Sequence, residues 1–211
     1  MDVSTQGDAP MRILGFRAFY AFSCLVLSVA SAAAGGIKAK PGVFDPDGTN
    51  TVAANWVAKQ GLPDAGKADH ALILVKATDT ATFSAAGADI QGVEGLPAGY
   101  VFGFDIRADS YCSAGAPRFN LEASDGFHFI GGCANGTVIG TSTDARGRSW
   151  FRVVFNPQDP SQAFPIVDPA AAIVSLSLIV DEDTRPSVAG SSIVDNININ
   201  GTYIGGPGNA K

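Results

Sequence analysis

The chain has 211 residues, 46% of them hydrophobic and 16% charged, which is enough apolar material for one sizeable core and too much for a disordered chain. A net charge of −6 leaves no basic surface to neutralise phosphates, so it argues against nucleic acid and against anionic membranes as partners. Seventeen of the twenty acidic residues are Asp, and Gly and Pro number 25 and 12, a composition suited to turns and strands rather than helix interiors.

In chain order, the first feature is a signal peptide over residues 1–32. Arg12 and Arg17 supply a positive start, Ala18 to Val29 an apolar stretch, and Ala30-Ser31-Ala32-Ala33-Ala34 a small-residue cleavage site, with the cut expected after Ala32. Met11 is an alternative start. The apolar helix of the signal is shorter than the ~20 residues that span a bilayer, so cleavage is expected over anchoring. The protein is then secreted, periplasmic or displayed at the cell surface, with no stable membrane insertion. Cys24 leaves with the peptide, and the remaining pair, Cys112 and Cys133, is the arithmetic of one disulfide in an exported chain.

Residues 33–211 read as a single all-β domain. The segment Phe44-Asp45-Pro46-Asp47-Gly48-Thr49-Asn50 loosely suggests a calcium loop, but it lacks the later bidentate Glu and reads more simply as a turn. Short runs of β-branched and aromatic residues then recur between turn formers. They predict strands near 53–58 and at 71–77, 100–107, 118–123, 127–132, 137–141, 150–156, 173–181 and 193–200. Eight or nine short strands suit a two-sheet antiparallel β-sandwich of jelly-roll type.

Residues 118–132 predict a hairpin around Ser124-Asp125-Gly126. A three-residue loop pairs Leu121 with Phe129 and Ala123 with Phe127, keeping apolar side chains on one face. Alternation then assigns Phe102, Phe104, Ile106, Phe119, Leu121, Phe127, Phe129, Phe151, Val153 and Phe155 to the core. The opposite parity collects Gly103, Asp105, Arg107, Arg118, Asn120, Glu122, His128, Trp150, Arg152 and Asn156. If these strands are neighbours, Asp105, Arg107, Arg118, Asn120, Glu122, His128, Trp150 and Arg152 form a ligand platform. Their fixed hydrogen-bonding groups match sugar hydroxyls, and Trp150 could stack on a pyranose ring. The plain alternative is a solvated sheet laced with weak cross-strand ion pairs. Exposed aromatic platforms are otherwise few, with only Trp56, Tyr100 and Tyr111 on offer.

Near the end, Val174, Leu176, Leu178 and Val180 alternate, the acidic loop Asp181-Glu182-Asp183 follows, and 192–201 closes the chain as Ser-Ile-Val-Asp-Asn-Ile-Asn-Ile-Asn-Gly. This pattern resembles the ending of jelly-roll carbohydrate-binding modules and galactose-binding-like domains of exported bacterial proteins. The resemblance covers roughly the last 40 residues. It implies a structural calcium ion held by Asp195. By alternation Asp195 shares inward parity with Ile193, Ile197 and Ile199, so the carboxylate needs a partner, and the simpler expectation is that it accepts backbone N–H groups at the sandwich edge.

The sequence holds no G-x-S-x-G, no H-E-x-x-H and no Gly-rich phosphate loop, and only His70 and His128 could act as bases near neutral pH. Glu122 with Asp105 could supply the two carboxylates of a glycosidase, although a Glu122 paired with Arg107 or Arg118 is the simpler account. The reading that emerges is a secreted, non-catalytic sandwich binding an extracellular carbohydrate or similar polyhydroxylated ligand. A structural or adhesive extracellular protein and a small secreted glycan-active hydrolase are the alternatives.

Overall fold

The computed structural model describes residues 36–64, 68–77, 83–181 and 190–208. The expected signal peptide and most of the acidic loop at 181–183 lie outside them. Among the described residues, thirteen strands numbered in chain order form two antiparallel sheets, the sandwich anticipated from the sequence. Sheet A runs β1 (Lys38–Phe44), β4 (Ala85–Gln91), β11 (Ile173–Val180), β6 (Arg118–Ala123), β7 (Gly126–Gly131) and β10 (Ala163–Phe164). Sheet B runs β2 (Val52–Val57), β3 (Ala71–Lys76), β12 (Ser191–Ile199), β5 (Phe102–Arg107), β9 (Ser149–Phe155) and β8 (Thr137–Thr143), with β13 (Thr202–Ile204) added beside β12.

All nine anticipated strands are present with ends shifted by a residue or two. β1, β4, β10 and β13 were not anticipated. β1 carries Pro41 and Gly42, which an interior strand does not tolerate but an edge strand does. β4 is Ala-Ala-Gly-Ala-Asp-Ile-Gln, poor in β-forming residues, yet its buried Ala86, Ala88 and Ile90 alternate cleanly on the core side.

The core lies between the sheets. Phe102, Phe104, Phe119 and Phe155 form its aromatic centre, with neighbouring ring centroids 5.5–6.3 Å apart. Ile106, Leu121 and Val153 are buried with them, as alternation predicted. Cys112 and Cys133 are joined, as expected, tying the loop after β5 to the turn after β7.

Three expectations are corrected. The β6–β7 hairpin turns on two residues, Ser124 and Asp125, so Glu122 pairs with Phe127, Asn120 with Phe129 and Leu121 with His128. Phe127 and Phe129 therefore face solvent at 44% and 40% exposure, while His128 and Ile130 point into the sandwich. The buried imidazole is tolerated because both ring nitrogens have partners, the Asp125 carboxylate at 3.0 Å and the Pro165 carbonyl at 2.9 Å. Phe151 keeps its inward parity but sits next to the edge strand β8 and stays 38% exposed. In β12, a bulge at Asn196 (φ 44°) breaks the alternation, so Val194, Ile197 and Ile199 enter the core while Ile193 and Asp195 face outward.

Candidate functional site

The eight candidate ligand residues do not share a face. β5 and β9 belong to sheet B and β6 and β7 to sheet A, so the core separates Asp105, Arg107, Trp150 and Arg152 from Arg118, Asn120 and Glu122. His128 belongs to neither outer face. The proposed carboxylate pair, Glu122 and Asp105, is likewise split between opposite surfaces and cannot flank one glycosidic bond.

The sheet B group is built into a covering layer. The segment after β2 folds back so that Leu62 packs on Ala71, Ile193 and Trp150, and Trp150 is fully buried rather than offered for stacking. Its indole N–H donates to Asp144 Oδ2 at 3.2 Å. Arg148 Nε donates to the same oxygen at 2.6 Å, and its Nη1 donates to Gln60 at 2.6 Å. Burial alone would raise the Asp144 carboxyl, but the N–H groups of Arg148, Trp150 and Arg146 outweigh it and hold the pKa at about 2. Arg107 reaches Asp109 at 2.5 Å and Gln60 at 3.3 Å. Arg152 forks onto Asp105 at 2.9 and 2.8 Å and lies over the Tyr203 ring.

Asp195 sits beneath the same layer, fully buried. It accepts the Leu62 N–H at 2.7 Å and the Asn196 N–H at 2.6 Å. A Cβ at position 61 would stand 2.6 Å from its Oδ2 and closer still to the His70 carbonyl, which is why Gly61 occupies that position. N–H groups aimed at a carboxylate have the wrong polarity for a calcium shell of six to eight oxygens. Among the described residues, no three His, Cys, Asp or Glu side chains converge on a metal position.

The outer face of sheet A is different in kind. Register places Lys40, Asp89, Ser177, Asn120, Phe129 and Phe164 in one line across all six strands. Phe164 is 75% exposed, and Phe127 packs edge-on against Phe129 with centroids 5.0 Å apart. Arg118 forks onto Asp181 at 2.7 and 2.6 Å, donates to Asn120 at 3.1 Å and lies 4.9 Å over the Phe129 ring. Its donors go to Asp181, the Gly115 carbonyl and Asn120, which holds the guanidinium plane over the Phe129 ring. On the other flank, Gly42 and Gly87 face each other across β1 and β4 and floor a trough of about 180 Å³, bordered by Phe44, Asp89, Ser177 and Ile179. Glu122 stands exposed beside Phe127. Arg118, Asn120 and Glu122 were legible as outward residues. Phe127 and Phe129 were missed because Phe-His-Phe-Ile alternates equally well in either register, and Phe164 because the two-residue β10 carries too short a pattern to read as a strand.

The chain matches no protein-family profile, no curated protein and no solved structure.

Proposed function

We propose that the protein is a non-catalytic β-sandwich that binds a carbohydrate or similar polyhydroxylated ligand on the outer face of sheet A. The observation that carries this reading is the line from Phe164 and Phe129 through Asn120 and Ser177 to Asp89 and Lys40. A sugar ring has an apolar face that stacks on flat rings and an equatorial belt of hydroxyls that needs both donors and acceptors. The line offers these in sequence at the strand spacing of about 4.8 Å. Preorganisation supports the reading further, since Arg118 already holds Phe129 and Asn120 in place. The Cys112–Cys133 bridge and the signal-like N-terminal sequence support the reading of an exported protein that would meet glycans outside the cell.

The test is affinity electrophoresis of the chain against neutral and charged polysaccharides. Phe129→Ala and Asn120→Ala should each weaken binding about tenfold, or about 1.4 kcal/mol. Trp150→Ala is not a probe of the site, because that ring is core to the opposite face. Absence of binding to every glycan, or binding untouched by Phe129→Ala combined with Phe164→Ala, would overturn the proposal in favour of a structural or adhesive role.

A further inference from the structure

Among the described residues, beside the three-residue β13, the two sheets end in four edge strands, and three of these are blunted. β1 carries Lys38, Lys40 and Pro41, charges and an imino acid that discourage strand addition. β10 is only two residues long and is followed by Pro165. β2 is covered by β1, the Trp56 indole donating to the Ala39 carbonyl at 3.0 Å. β8 has none of these devices. Its seven residues, Thr-Val-Ile-Gly-Thr-Ser-Thr, include no charge and no proline. Val138 and Ile139 are 55% and 59% exposed, and among the described residues β8 pairs with β9 alone. A bulge between Val138 and Gly140 leaves Gly140 to Thr143 as a regular run.

We propose that β8 is a self-association edge, and that a second copy of this chain adds to it as an antiparallel strand. A two-fold axis perpendicular to sheet B keeps the core-side face continuous only if residues of equal parity meet. Placing Thr141 opposite its own copy satisfies this and sets Gly140 against Ser142. On the core side, the row Ile106, Phe151, Thr141 then continues into Thr141, Phe151, Ile106 of the second copy. Phe151, half-exposed although its parity is inward, gains cover from the added strand. Thr opposite Thr is a favourable cross-strand pair, and no like charges face one another along the strand. The second copy is the occupant favoured because the run complements itself without any change.

The experiment is light-scattering mass across a concentration series for the disulfide-bonded chain, with circular dichroism to verify the fold. The wild type should approach twice the chain mass. Thr141→Lys and Thr141→Glu place like charges on the axis and should each run as monomers, while their equimolar mixture should regain the doubled mass. A wild type that stays monomeric, variants that both stay dimeric, or a mixture that fails to reassociate would each overturn the proposal.

Discussion

Asp144 collects more hydrogen bonds than any exposed carboxylate needs: the backbone N–H groups of Arg146 and Arg148, the Arg148 guanidinium and the Trp150 indole. Its folded pKa of about 2 lies below the ordinary value of 3.8. A depressed carboxyl stabilises fully above its unfolded pKa and loses that contribution as pH falls through its folded one. Stability should therefore decline between about pH 4 and pH 2, with this side chain contributing about 2 kcal/mol. Asp144→Asn should lower stability by that order at neutral pH and flatten the acid limb, as read from urea unfolding at several pH values. The outward direction of Trp150 was legible from alternation. Its burial was not, because the cover comes from Leu62, some ninety positions earlier in the chain.

At the scale of elements, the β6–β7 hairpin shows where patterning stops deciding. Both registers leave an alternating strand, and the choice is made by contacts beyond the hairpin. Asp125 accepts the Asp168 N–H at 2.7 Å while facing His128, and β10 pairs Phe164 with Phe129. Burial tends to raise the Asp125 carboxyl, but these hydrogen bonds prevail and keep it below the usual range. The same region is closed by the Cys112–Cys133 bridge, which spans 21 positions. Loop-closure entropy for a loop of that size gives about 3 kcal/mol. Replacing both cysteines with serine should cost about that much in urea unfolding, and the loss should appear mainly as a lower midpoint rather than a changed slope.

For the whole molecule, the two outer faces divide the work. Around Trp150, sheet B spends its polar side chains on holding a covering layer, whereas sheet A leaves rings, an amide and charges open to solvent. Pairing through β8 about an axis perpendicular to sheet B would leave both copies of sheet A on the same side of the dimer, so a polymer could engage two platforms at once. Thr141→Lys should then leave affinity for a short oligosaccharide unchanged while weakening retention on a polysaccharide at least tenfold, through loss of the second site. The all-β class, the Cys112–Cys133 disulfide, nine of the strands and the parity of most side chains are legible in the amino-acid order alone. These follow from local periodicity and turn chemistry, which neighbouring residues suffice to express. Which sheet each strand joins, and hence that Arg118 and Arg152 lie on opposite surfaces, is set by long-range packing. The same packing sets the hairpin register, the bulge that turns Asp195 outward, and the burial of Trp150. Each of those depends on contacts between residues far apart in the chain, whose energies leave no periodic trace in either segment alone.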